Sequence, residues 1–208
     1  MAAEALVARG YYVIRMGAVV GKAFPTDNPK IIDYAFNGMR TDFMDIYLGA
    51  KCSFCVSTGT GWDAVPGWLF RKPVVFTNFL PIGYLPTFCR NFIFISKKHI
   101  EISTNLELSL SQIFSRGVGF CYFSRQYEDQ NIRLVENTPE EICDVVLEMV
   151  ERLQGTWCPQ KIDTVLQEIF WKIFPKDSIT SSNNKPLHGE IRARFGANYL
   201  RKNQVLIN

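Results

Sequence analysis

The sequence predicts an α/β protein in which a parallel sheet is flanked by helices on both faces. Three observations carry this. Runs with strand character recur at 11–16, 52–56, 74–77 and 91–96. Segments with helical start signals or periodicity alternate with them, and the connections are short. The third is the stretch 51–78, KCSFCVSTGTGWDAVPGWLFRKPVVFTN. It reads as strand, small-residue loop, helix-length segment and strand within about thirty residues, the size of one βαβ unit. Such an arrangement is Rossmann-like, and its ligands lie at the carboxyl ends of the strands.

The elements follow in order. Residues 2–8 are rich in helix formers and end at Gly10, a good residue after a helix C-terminus. A buried strand at 11–16 leads into an exposed loop at 17–30, and 31–35 reads as a short strand. A chain that opens on a helix running into a buried strand implies a further lobe upstream. Thr41 is a plausible N-cap for a helix over 42–50, with Asp42 and Asp45 in its first turn. In the central unit, Trp62, Val65, Trp68, Leu69 and Phe70 mark a helix-length segment before Pro73 and the next strand. The run PIGYLPT is a loop and 107–114 a short helix, while Gly interrupts an aromatic, strand-like run at 117–123. Thr138-Pro139-Glu140-Glu141 combines cap, Pro at N1 and Glu at N3, and Gly155 ends that helix. A further helix covers 162–173, and a final one is predicted over 188–202. The domain expectation is a Rossmann-like donor-binding domain over 1–174, a linker over 175–186 and a C-terminal helix and tail over 187–208.

Composition sets outer bounds. The chain has 208 residues, enough for a sizeable core, with 47% hydrophobic and 21% charged residues. No apolar run reaches the eighteen or so residues that span a bilayer. The amino terminus lacks a basic n-region and is not a signal peptide. A cytoplasmic location follows as the expectation. The six cysteines (52, 55, 89, 121, 143, 158) show no paired spacing, so reduced thiols are expected. Cys52 and Cys55 are a lone C-x-x-C, expected to pack in the core. Five basic residues against one acid between Lys185 and Lys202 make a local charge of +4 within a net +3. Such a tail offers peripheral contact with the inner membrane face, or is simply a solvated helix face. No nucleic-acid partner is expected.

The candidate chemistry collects at strand ends. After the strand at 52–56, Ser57, Thr58, Gly59, Thr60 and Gly61 form a loop where backbone N–H groups, hydroxyls and a helix amino end favour a phosphate. Its alternative is an ordinary βα turn. It is not a Walker A loop, because Trp62 follows Gly61 where Lys-Ser/Thr is required. It is not a dinucleotide fingerprint either, since position 64 is alanine and the next strand ends in Thr77-Asn78 rather than an acid. Asn78 is a candidate for bonding a ribose or sugar hydroxyl, or for capping a turn. Arg15 leaves the end of a buried strand, placed to grip phosphate oxygens; the alternative is an ion pair with Asp33. There is no D-x-D element, and Asp42 with Asp45 is a poor metal pair, so no metal site is expected. Asp33, Asp42 and Asp63 are candidates for a general base, each also readable as a cap or surface acid. His99 and His188 do not look catalytic.

The run TDFMDIYLGAKCSFCVSTGTGWDAVPGWLFRKPVVFTN, with GYYVIRMG (10–17), IIDYA (31–35), TPEEICDVVLEMVERLQG (138–155) and IRARFGANYLRKN (191–203), resembles the C-terminal half of a family of bacterial glycosyltransferases. These are GT-B-like enzymes associated with surface-polysaccharide synthesis, distantly similar to heptosyltransferases and α-1,6-fucosyltransferases. The resemblance implies one lobe of a GT-B fold and metal-independent transfer from a nucleotide sugar, which is substrate rather than cofactor, to a glycan or lipid-linked acceptor. It implies that Arg15 is catalytic, with the 57–61 loop and Asn78 as donor-binding residues. Three rivals stand beside it: a nucleotide-sugar epimerase, a lobe that binds nucleotide or partner without turnover, and another doubly wound domain whose loop holds something else.

Overall fold

The computed structural model describes residues 1–88, 91–176 and 191–207. Its centre is a four-stranded, all-parallel sheet in the order β3-β4-β5-β8, formed by Cys55–Ser57, Val74–Phe79, Phe92–Ser96 and Ala193–Phe195. Register runs Cys55 to Val74, Val74 to Phe92 and Phe92 to Ala193. Every residue of β5 is buried, as a strand covered on both faces requires. The protein is therefore α/β and Rossmann-like.

Helices cover the two faces. Successive side chains of β5 alternate between them. On one face Phe94 meets the rings of Phe170 and Phe195 at centroid distances of 5.8 and 4.4 Å. Phe170 belongs to α6, Lys161–Ile173. On the other, Ile95 lies near Val145 of α5, Pro139–Gln154, so close to Gly196 that a Cβ there would come within 2.9 Å of Ile95. The helix α5 starts on the expected capping box, Thr138 with Glu141, and ends at Gly155 in the left-handed conformation.

The remaining elements flank this body. Helix α1, Ala2–Val7, packs on α5 and leads into β1, Val13–Ile14, which pairs in parallel with β2, Ile31–Ile32. Both strands are shorter than the runs at 11–16 and 31–35 suggested. Helix α2, Asp42–Lys51, begins where Thr41 accepts the amide of Met44 at 3.1 Å. A two-stranded antiparallel ribbon joins β6, Lys98–Glu101, to β7, Ile132–Val135. The short helices α3, Leu110–Ser115, and α4, Ser124–Glu128, lie between those strands in sequence.

Two expectations are corrected, and one open reading is decided. The helix-length segment expected after the 57–61 loop is reduced to one wide turn, Val65–Leu69, in which the amide of Phe70 reaches the carbonyl of Val65. Pro66 has no amide to give and Gly67 is a poor helix former, so a regular ladder fails there. The run 117–123, ambiguous in sequence, holds a 3-10 turn, Val118–Phe120, with Gly117 left-handed ahead of it. Of the final helix predicted over 188–202, the described residues form β8 and then a short helix, α7, Ala197–Lys202. So the described residues of the proposed C-terminal tail, 191–207, are part of the domain rather than an appendage. Among the described residues β8 is an edge strand, and the outward amide and carbonyl of Phe195 are bonded by the Gln167 carboxamide at 3.1 and 2.8 Å. Residues 177–186 of the predicted linker lie outside the described residues.

Candidate functional site

A cleft of about 860 Å³ opens at the carboxyl ends of β1 and β3. Arg15, Ser57, Thr58, Thr60 and Thr77 all line it, together with the aromatic rings of Tyr11, Tyr12, Phe24, Phe54 and Trp62. Three separate stretches of sequence thus deliver polar groups to one place. The folding reason is that parallel strands put all their carboxyl ends on one edge.

The loop 57–61 is shaped by two left-handed glycines, Gly59 at φ +83° and Gly61 at φ +88°. At both positions the space a Cβ would occupy is open, so the backbone can be approached closely. Its amides do not all face that space. The amide of Gly59 donates to the Ser57 hydroxyl at 3.0 Å, closing a small turn. The amide of Gly61 points toward the Asp63 carboxylate, which is buried beneath the loop. Burial raises the pKa of Asp63, and the amides of Gly61 and of Asp63 itself partly oppose that. The expectation of a fully open amide cup therefore holds only in part: an internal carboxylate takes one of its donors. The supporting helix dipole is also minor, because only the single turn Val65–Leu69 follows.

Arg15 sits at the opposite lip. Its Nη1 donates to the carbonyl of Lys22 at 2.9 Å and pairs with Asp33 at 3.2 Å. Asp33 also accepts the amide of Phe24 at 2.7 Å, and the guanidinium lies 5.9 Å from the Phe24 ring. The ion pair that the sequence left as an alternative is present, and it fastens the 17–30 loop. Among the described residues only Nη1 of Arg15 is given a hydrogen-bond partner, so Nε and Nη2 make up the side of the fork a ligand could take.

Asn78 does not join the cleft. At φ +53° its amide donates to the side-chain oxygen of Asn137, and its own side-chain oxygen accepts the amide of Asn137, each at 2.6 Å. The side-chain nitrogen of Asn137 then donates to the carbonyl of Ser96 at 2.8 Å. This bracket ties the ends of β4 and β5 to the start of α5, so Asn78 is engaged in the fold, while its neighbour Thr77 lines the cleft. The alternation of a strand could have separated the two: adjacent residues point to opposite sides.

Trp62 is a cleft residue that motif reasoning passed over. Its indole nitrogen is buried with no hydrogen-bond partner among the described residues, a donor otherwise expected to be satisfied. Among the remaining candidates, Asp45 pairs with Arg40 at 2.8 Å, and Asp42 stands in the first turn of α2. His99 is buried in the β6–β7 region beside Tyr127, and burial lowers its pKa to about 4. Among the described residues no group of three or more His, Cys, Asp or Glu could hold a metal ion, and no helix is long and apolar enough to cross a membrane. In the basic tail Arg201 pairs with Asp163 and Lys202 with Asp144.

The cleft can thus offer a half-open guanidinium, three hydroxyls on the 57–60 turn and an approachable glycine backbone to an anion, with aromatic walls beside them for a planar or apolar group. Comparison with protein-family models, curated proteins and solved structures finds no match to this chain.

Proposed function

We propose that the cleft holds the diphosphate of a nucleotide sugar and that the chain is the donor-binding lobe of a GT-B-like, metal-independent glycosyltransferase acting in surface-polysaccharide synthesis. The observation that carries this reading is the convergence of Arg15 with Ser57, Thr58 and Thr60 on one opening at the carboxyl ends of β1 and β3. In this reading Arg15 stabilises negative charge as the sugar–phosphate bond breaks, through the nitrogens that Asp33 and Lys22 leave unused. The hydroxyls of the turn bond the remaining phosphate oxygens. The ring of Tyr12, Phe24 or Trp62 packs the base or sugar. Thr77 replaces Asn78 as the strand-end group nearest the donor. The acceptor is a glycan or a lipid-linked glycan.

The test is calorimetric titration of the full chain with UDP, GDP, CDP and their sugar conjugates. One nucleoside diphosphate is expected to bind, and Arg15→Ala to weaken it about 10- to 100-fold, the worth of a charged hydrogen-bond pair. Thr60→Ala lies on the exposed turn, leaves the Asp33 bracket intact and is expected to weaken binding about 3- to 10-fold, one neutral hydrogen bond. Absence of binding by any diphosphate at millimolar concentration overturns the proposal, as does unchanged affinity in both variants.

A further inference from the structure

Two further arginines of the basic tail, Arg192 and Arg194, lie at the opposite edge of the sheet from the cleft. Arg194 is in register with Ile93, while its neighbour Phe195 packs on Phe94 toward α6. Strand alternation therefore sends the Arg194 side chain out on the α5 side, and Arg192, two positions earlier, with it. Helix α5 starts beside the carboxyl end of β5, where Asn137 bonds Ser96. Its last turn, which carries Arg152, therefore reaches the amino ends of β5 and β8.

A cavity of about 390 Å³ lies where these pieces meet. Arg152, Arg192 and Arg194 line it with Asn91 and Trp157, and none of the described residues lining it is acidic. Ile93 and Met149, both almost wholly buried, make its apolar back wall. An adjoining cavity of about 690 Å³ shares the three arginines and adds Asp163 and Glu168. Asp163 is already paired with Arg201, so the acid-free cavity is the one suited to an anion.

The usual use of arginine at a helix end is closed off here. The late carbonyls of α5 are taken by its own cap: the Gly155 amide bonds Arg152, and the amides of Thr156 and Trp157 bond Glu151. Arg152 pairs with Glu148 at 2.8 Å and lies 4.7 Å from the centroid of the Trp157 ring, which fixes it beside the cavity. Arg194 is exposed, and no hydrogen bond or ion pair joins it to another described residue. The indole nitrogen of Trp157 is buried, with no hydrogen-bond partner among the described residues. Three like charges around one opening repel one another, and a multiply charged anion among them turns that cost into attraction.

We infer that the cavity between the last turn of α5 and the amino ends of β5 and β8 binds a phosphate-bearing anion through Arg152, Arg192 and Arg194. An arginine fork matches two phosphate oxygens at once, and converging forks favour a doubly charged phosphate over a carboxylate. The carboxamide of Asn91 adds an uncharged donor. The volume falls in the range of small-ligand sites and admits a diphosphate or a phosphate ester with a small organic group. The five residues of β5 put this site about 15 Å or more from the carboxyl edge, where the cleft opens. The inference is therefore independent of the nucleotide-sugar reading.

The experiment follows the tryptophan indole N–H signals of the full chain by heteronuclear NMR, assigned with Trp157→Phe and Trp62→Phe. Trp157 reports on this cavity and Trp62 on the cleft, so one titration reads the two sites separately. Sodium pyrophosphate is the probe, and sodium chloride at matched ionic strength is the control. The Trp157 signal is expected to move saturably with pyrophosphate and to stay in place with chloride. Arg194→Ala and Arg194→Gln are expected to leave the melting temperature unchanged and to weaken the response about 10-fold or more, the worth of a charged hydrogen-bond pair. Arg15→Ala is expected to leave the Trp157 response as it is. Vesicles of phosphatidylcholine carrying phosphatidic acid separate the sources. Retention on them that is lost in Arg194→Ala makes the ligand a lipid headgroup, and a pyrophosphate response without retention makes it a free phosphate. Three results overturn the proposal: a Trp157 signal unmoved by millimolar pyrophosphate together with no retention on the vesicles, an equal shift with chloride, or a response or retention undiminished in both Arg194 variants.

Discussion

Asn137 offers the sharpest test of how the strand ends are held, because one side chain joins two strands and a helix. Asn137→Ala removes the acceptor for the Asn78 amide and the donor to Ser96, bonds of 2.6 and 2.8 Å. The Asn78 amide is then left without a partner at a part-buried site, at about 1–3 kcal/mol. The Ser96 carbonyl keeps the Tyr199 hydroxyl at 3.2 Å, so its loss is nearer the net worth of one bond, about 1 kcal/mol. Together these predict a destabilisation of about 2–4 kcal/mol, a large part of the 5–15 kcal/mol typical of a whole domain. Asn78→Ala removes the other half of the bracket and leaves a Cβ at φ +53° without the side-chain hydrogen bonding that lets asparagine tolerate that conformation. Asn78→Gly relieves that strain, so it is expected to cost less than the alanine variant. Urea unfolding of the two single variants and the Asn78→Ala/Asn137→Ala double variant gives the coupling directly, about 0.5–3 kcal/mol for residues in one network. A single-variant loss below about 0.5 kcal/mol, or additive effects, refutes the bracket. Weakened nucleotide binding by Asn78→Gly, with stability unchanged, restores Asn78 as a ligand residue and refutes it equally.

Three further substitutions probe a buried titratable group, the packing between β5 and α5, and the start of α5. His99 is neutral in the fold, its pKa lowered by burial from 6.5 to about 4. The unfolded chain takes up that proton first as pH falls, so the stability His99 contributes is whole above pH 6.5 and is lost between there and about 4, amounting to about 3 kcal/mol. The fall in stability across that window is expected to be shallower in His99→Gln, measured by denaturant titration at several pH values. Gly196→Ala puts a Cβ 2.9 Å from Ile95 and 3.2 Å from Val145, an overpacking expected to cost about 1–3 kcal/mol and to lower the melting temperature. Thr138→Ala removes the cap that accepts the Glu141 amide at 3.2 Å and is expected to cost about 1 kcal/mol in denaturant unfolding.

Much of this architecture was legible in the sequence where a local rule and the tertiary need agree. The capping box at Thr138, the cap at Thr41 and the buried runs at 74–77 and 91–96 are of that kind. The failures have physical causes too. Residues 193–195 form a strand because Phe195 completes a ring cluster with Phe94 and Phe170, a contact between distant parts of the chain that no local window contains. The β6–β7 ribbon was missed because its strands are four residues each and one begins on Lys98-His99, which reads as a surface run. At the site, the 57–61 loop and Arg15 were legible as strand-end groups. The roles of Asp63 and Asn137 were not, since each depends on which amide the folded backbone happens to turn toward it.

The position of β8 has a consequence for biosynthesis. Its partner β5 lies about a hundred residues earlier, and the Tyr199 hydroxyl reaches back 103 positions to Ser96. Until the polypeptide beyond residue 190 has cleared the ribosome, the rings of Phe94 and Phe170 lack the neighbour that shields them, and the outer edge of β5 stands bare. At about 5–20 residues per second that interval lasts several seconds, long enough for chaperones that recognise uncovered aromatic surface to be the nascent chain's first companions.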